Sequence, residues 1–201
     1  MRTASFSLLT ILCLLLFVAP AMAGWVYWNG PYDGNTAAWP INFGFSVSDS
    51  YTNWTAGRDI TVLNFVYWDL VPGDVLTTVD AQFGPDPFSG AVNTYSATHN
   101  KDLGSNHYGY ELYEATVLIN PYEPGEGGFL TLSNACTTSG CSTNPIYWDE
   151  NSGPSIAFEN EVGSIPSEAF TLQCAPEPSS ILLFGSCVLG LAGILRRKLG
   201  R

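Results

Sequence analysis

Through the middle of this chain, hydrophobic positions recur every second residue and not every third or fourth. In VLTTVDAQFG (Val75 to Gly84), Val75, Thr77, Val79, Ala81 and Phe83 fall on one side, with Asp80 and Gln82 on the other. GYELYEATVLIN (Gly109 to Asn120) repeats the pattern: Tyr113, Ala115, Val117 and Ile119 share a face, and Glu114, Thr116 and Asn120 share the opposite one. A period of two is the mark of a strand buried on one side. Shorter apolar runs bounded by Gly, Pro, Asn and Ser predict further strands. INFGFSV and DITVLNFVYWDL precede this pair, and GFLTLSN, PIYWDE, SIAFE and EAFTLQC follow it. No window of ten residues carries the period of an amphipathic helix. The expectation is therefore an all-β body of roughly eight to ten short antiparallel strands, packed as a jelly-roll-like β-sandwich over residues 24–174. The absence of an internal repeat disfavours a propeller or β-helix.

Both ends break the pattern. Arg2 precedes the apolar run SLLTILCLLLFVAP (Ser7 to Pro20), and Ala21, Met22 and Ala23 close it. A charged start, an apolar stretch and a small-residue cleavage site together predict a signal peptide over residues 1–23. Cys13 lies within that run after Leu12, which is not the small-residue setting of a lipidation site. The mature chain is expected to start at Gly24. Near the other end, residues 179–195 form an uncharged run of seventeen, ~25 Å long as a helix and at the lower edge of what spans a bilayer. Arg196, Arg197 and Lys198 follow within the basic tail 196–201. The positive-inside tendency places them in the cytoplasm, with the body across the membrane.

Charge sharpens this division. All but one of the 18 acidic residues lie between Gly24 and Cys174, where Arg58 and Lys101 are the two basic ones. Such a surface repels phosphate backbones, so nucleic acid is excluded as a partner. It suits a soluble exported domain and is compatible with weak Ca²⁺ binding by clustered carboxylates.

Pro176, Glu177 and Pro178, followed by Ser179, Ser180, the apolar segment and Arg196-Arg197-Lys198, resemble the PEP-CTERM sorting signal of exported bacterial proteins. The resemblance covers the last 26 residues. It implies a Gram-negative cell, recognition by an exosortase acting near the PEP motif, and association with exopolysaccharide and biofilm at the cell surface or matrix. The run GGFLTLSNACTTSGCSTNPIYWDENSGPS, with IPSEAFTL after it, is similar to stretches in the ectodomains of the same family. Physically, Pro176 and Pro178 fix φ and lack an N–H, which favours an extended, accessible spacer.

Chemistry in the body is sparse. The exported part holds Cys136, Cys141 and Cys174, and an oxidising compartment allows three single pairings. Cys136 and Cys141 enclose the turn-forming TTSG and make the preferred bridge, leaving Cys174 free or linked to another chain. Zinc is a poor alternative without a nearby histidine. His99 and His107 fall in THNKDLGSNHYGYE, read as a surface loop. No G-x-S-x-G, H-E-x-x-H, P-loop or G-x-G-x-x-G occurs. No catalytic residue, metal ligand or cofactor is assigned, and the body is expected not to be an enzyme. A glycoside hydrolase with two distant carboxylates is a remote alternative.

Binding is better motivated. Tyr147, Trp148, Asp149, Glu150 and Asn151 place aromatic rings beside carboxylates and an amide at a Gly-Pro turn, a set that suits a sugar or Ca²⁺. The competing expectation is that the rings pack into the sandwich edge and the polar residues form a turn. Trp25, Tyr27 and Trp28 in WVYWNGPYDGN pose the same choice between a glycan-facing cluster and a core strand. The expected role is structural or adhesive within an exopolysaccharide layer, with a carbohydrate- or calcium-binding module as the alternative.

Overall fold

The structure, a computed structural model, describes residues 24–52, 58–123 and 125–174. The expected signal peptide 1–23, the expected sorting motif Pro176–Pro178, the segment 179–195 and the basic residues Arg196, Arg197 and Lys198 lie outside the described residues. Every regular element described is a strand: β1 (Trp25–Trp28), β2 (Ala38–Pro40), β3 (Ser46–Thr52), β4 (Ile60–Asp69), β5 (Leu76–Gly84), β6 (Asn93–Ser105), β7 (Glu111–Tyr122), β8 (Gly127–Thr137), β9 (Tyr147–Asp149), β10 (Ala157–Glu159), β11 (Gly163–Ile165) and β12 (Phe170–Cys174). All pairings are antiparallel, in the order β1-β12-β4-β7-β6-β5-β8-β3-β10-β11, with β9 pairing both β2 and β4.

A single hydrogen-bonded sheet makes both layers because β6 belongs to each. Its first residues, Asn93 to Ser96, pair with β5, and from Ala97 to Ser105 it pairs with β7. One layer is therefore β1-β12-β4-β7-β6, and the other is β6-β5-β8-β3-β10-β11. Within this order, β5, β6 and β7 run as successive hairpins and β8 returns beside β5, which is a Greek-key arrangement.

The two layers share one core. Leu63, Phe65 and Tyr67 of β4, Ala115 and Val117 of β7, and Phe170 and Leu172 of β12 form a buried cluster with Val79 and Ala81 of β5, Leu130 and Leu132 of β8, and Val47 of β3. Trp148 plugs one end, edge-on to both Phe65 and Phe170. A smaller cluster of Val66, Trp68, Leu112 and Ala169 lies on the other side of β4 and β7. It explains why Leu112 is buried although the period-two pattern of β7 points it outward.

The alternation of β7 folds as its pattern predicts, and that of β5 does so from Val79 onward. Tyr113, Ala115, Val117 and Ile119 are all buried. In β5, Val79 and Ala81 are buried, and so is Leu76, because register shifts on both sides of Thr78 reverse the facing there. INFGFSV is corrected: Phe43 and Gly44 take positive φ, and the Phe45 N–H donates to the Asn42 carbonyl at 3.0 Å. That turn delays the strand to Ser46.

Candidate functional site

The N-terminal strand carries the most exposed aromatic surface of the described residues. β1 pairs with β12 through Trp25↔Gln173, Tyr27↔Leu172 and Trp28↔Thr171, with a register irregularity between Trp25 and Tyr27. In a regular strand, residues three apart face opposite sides. The extra residue at the irregularity turns Trp25 and Trp28 to the same outer face and buries Val26 and Tyr27 between them. Trp25 is 58% exposed and Trp28 39%, with rings stacked at 5.9 Å and 30°. Beyond the Gly30-Pro31 corner, where Gly30 takes φ +93°, Tyr32 is 43% exposed. Trp28, Pro31 and Tyr32 line a shallow cleft of about 100 Å³ together with Asn64, Glu114 and Thr171.

Strand register then extends the aromatic end into a polar row. Trp28 is opposite Thr171, Thr171 opposite Asn64, Asn64 opposite Thr116, and Thr116 opposite His99. Five strands thus set one side chain each across the outer face. The Thr116 hydroxyl donates to Asn64 Oδ1 at 2.7 Å, so the Asn64 amide hydrogens are turned toward other acceptors. A flanking row brings Glu114 beside Lys101, 3.8 Å apart. An aromatic platform continued by amide and hydroxyl groups offers stacking to a sugar's C–H face and hydrogen bonds to its hydroxyls.

His99 belongs to this face because the polar segment NTYSATHNKDLGS is the long strand β6 and not a loop. His107 does lie in the turn after it, its Nδ1 3.0 Å from Asn35 Oδ1 and its ring against Tyr108. The two histidines are therefore separated by both position and element.

The Tyr147–Asn151 segment is corrected as a ligand loop. Trp148 is fully buried, and its Nε1 donates to the Ala169 carbonyl at 3.0 Å. Asp149 is fully buried and accepts from Trp68 Nε1 at 2.6 Å, Gly34 N at 3.0 Å and Asp33 N at 3.2 Å. Burial pushes its carboxyl up to about 7 against the pull of these donors. Glu150 accepts from Trp39 Nε1 at 3.0 Å. Asn151 donates to the Asn29 carbonyl at 2.7 Å and accepts from Gly153 N and Ser167 Oγ. Tyr147 is half-buried, edge-on to Tyr110. The sequence spaces these groups as ligands, but the β9–β4 pairing sets Trp148 into the core and Tyr147 against the Trp68 cluster, and Asp149, Glu150 and Asn151 are engaged by other segments.

Cys136 and Cys141 are disulfide-bonded, S–S 2.08 Å, across the turn at the end of β8. Cys174 is free and buried, its thiol 3.3 Å from the Gly24 carbonyl and 3.4 Å from Arg58 Nη1, so its burial does not suit a link to a second chain. Among the described residues, no three or more His, Cys, Asp or Glu side chains are grouped to hold a metal ion. Among them, too, no helix is long and apolar enough to cross a membrane. No protein-family model matches the chain, and no curated protein matches it.

Proposed function

We propose that this chain is an exported surface protein whose jelly-roll-like body attaches to extracellular polysaccharide through the outer face of β1, β12, β4, β7 and β6. The observation that carries the binding reading is the stacked, exposed Trp25–Trp28 pair at one end of the Thr171–Asn64–Thr116 row. Two large indole rings left in water at a strand edge give up burial that the core would have rewarded, and a sugar stacking on them restores it. The strong negative charge of the body favours neutral or weakly charged glycans over strongly acidic ones.

The route to the surface rests on sequence. Arg2 and the apolar run to Pro20 serve export; Pro176, Glu177 and Pro178 present the chain to an exosortase; residues 179–195 with Arg196, Arg197 and Lys198 hold it in the inner membrane until processing. The role is adhesive or structural within the exopolysaccharide layer, without turnover of the glycan.

Affinity electrophoresis through gels containing neutral polysaccharides tests the binding face. Retardation of the wild-type body is expected, with a loss of tenfold or more in Trp25→Ala/Trp28→Ala, equivalent to about 1.4 kcal/mol. Both rings are surface groups, so the variant should keep its near-ultraviolet dichroism from the buried aromatics. Equal retardation of the two proteins would refute the face. Intact-mass measurement of the cell-surface protein tests the route: a chain ending near Pro176–Pro178 is expected, and an untrimmed C-terminus would refute processing.

A further inference from the structure

Beneath β1, on the side away from the exposed tryptophans, oxygens converge from four separate segments. Asn29, directly after β1, is fully buried. Its Nδ2 has four acceptors around it: Asp49 Oδ2 at 2.9 Å, Ser155 Oγ at 2.6 Å, Ser167 Oγ at 2.8 Å and the Glu168 carbonyl at 2.7 Å. An amide nitrogen carries two hydrogens, so acceptors here outnumber what it can donate. The two serine hydroxyls lie 2.7 Å from each other, and Ser167 Oγ also donates to Asn151 Oδ1 at 2.8 Å.

Two carboxylates border this cluster. Asp49 and Glu168 are both 0% exposed, and the Glu168 N–H donates to Asp49 Oδ2 at 2.7 Å. Asp49 Oδ1 and both Oε atoms of Glu168 have no hydrogen-bond partner. Burial pushes the Glu168 carboxyl well above its usual range, and the negative charge of Asp49 pushes it the same way. Neither basic residue of the body donates to these three oxygens, and Lys101 is engaged with Glu114 on the outer face. Two desolvated carboxylates on residues in direct contact are relieved by a cation or by protonation, and the oxygens gathered around them suit a cation.

We propose that Asp49 and Glu168 bind a divalent cation of the calcium class, with neutral oxygens of the same cluster completing its shell. Ca²⁺ takes six to eight oxygen ligands and mixes carboxylates with neutral donors in irregular geometry. The donor set is all oxygen, which disfavours zinc and copper. Two carboxylates match the ion's charge, and the serine hydroxyls supply uncharged oxygen within the same cluster. The ion would join β3, the 151–155 turn and the segment entering β12 to the chain leaving β1. It is thus a tie beneath the strand that presents Trp25 and Trp28.

The test uses the full-length chain, stripped with chelator and titrated with CaCl₂ by calorimetry and thermal unfolding. One Ca²⁺ per chain is expected, with a melting temperature raised by roughly 5–10 °C at a hundredfold excess over Kd. Glu168→Gln and Asp49→Asn should each abolish the bound ion and the shift. Because removing a charge from an unpaired site relieves repulsion, Glu168→Gln should melt in chelator at or above the temperature of the stripped wild type. Should a variant not fold, the wild type still decides through Tb³⁺. Its emission should be sensitised by the adjacent Tyr27, whose hydroxyl is 2.6 Å from Asn29 Oδ1, suppressed by Ca²⁺, and weakened in Tyr27→Phe. Absence of Ca²⁺ binding, binding that survives Glu168→Gln, or Tb³⁺ emission indifferent to Tyr27 would each overturn the proposal. A carboxylic-acid band in the infrared spectrum that persists at neutral pH in saturating CaCl₂ and disappears in Glu168→Gln would show a shared proton instead and overturn it equally.

Discussion

Asp149 accepts from three N–H donors, one on Trp68 and two on the adjacent Asp33 and Gly34, and removing it would orphan all of them. Each buried donor left unpaired costs about 1–3 kcal/mol. Asp149→Ala is therefore expected to lower stability by about 3 kcal/mol or more, read as a fall in the urea midpoint at constant slope. A change near zero would mean that the acid faces solvent. Gly153 is equally constrained: a Cβ there would sit 2.2 Å from the Asn29 carbonyl oxygen and 2.5 Å from Ser167 Oγ. Gly153→Ala should destabilise by about 2 kcal/mol or more through backbone displacement, and a stabilising effect, as helix or loop positions often show, would contradict the close approach. Burial pushes Asp69 up to about 6 and Asp149 up to about 7 from the ordinary carboxylate value of 3.8. Between that value and 7 the folded state keeps protons that the unfolded chain has lost. Their stabilisation is complete below the unfolded pKa and fades as pH rises through 6 and 7. Burial also pushes Asp74 up, but hydrogen bonds from Thr138, Thr137 and Ser139 outweigh it and hold the carboxyl below its usual range, so its contribution is lost only in more acid solution. Melting temperature at fixed Ca²⁺ should therefore rise from pH 8 to pH 5. A flat or falling profile over that range would contradict the burial of these acids.

Among the elements, β5 and β7 are legible because one face is apolar and the other polar, so periodicity alone sets their register against the core. β6 is illegible for the opposite reason. Both its faces carry Thr, Asn, His, Lys and Asp, and what makes it a strand is pairing with β5 and β7 on either side. Composition of that kind resembles a loop until its neighbours are known. β1 is an intermediate case: its aromatic content announces a strand, whereas the irregularity that turns Trp25 outward depends on β12, 145 residues or more away in sequence. The Tyr147–Asn151 segment failed as a ligand loop because spacing cannot say which way β9 faces. At the end of β8, the Cys136–Cys141 bond closes a very short loop. Replacing both cysteines with serine should cost about 2 kcal/mol in the chain-entropy picture, seen as a lower urea midpoint. Loss of all cooperative unfolding would assign the bridge a far larger share of the fold.

Across the whole molecule, one continuous sheet folded over at β6 separates two environments. Its inner faces hold the hydrophobic core and, under β1, the Asn29–Asp49–Glu168 oxygen cluster. Its outer face on the β12-β4-β7 side carries the tryptophan pair and the Thr171–Asn64–Thr116 row. The all-β architecture follows from alternation repeated along the sequence. The outer face does not, because its members are drawn from five strands that only the sheet order brings side by side. Amide-resolved NMR of the folded body, titrated with a neutral polysaccharide fragment that retards it in gels, tests the central claim most directly. The account predicts shifts confined to the indole signals of Trp25 and Trp28 and to Thr171, Asn64 and Thr116, with Trp148 and Asn151 unmoved. Shifts centred on Tyr147–Asn151, with the two exposed indoles silent, would contradict it.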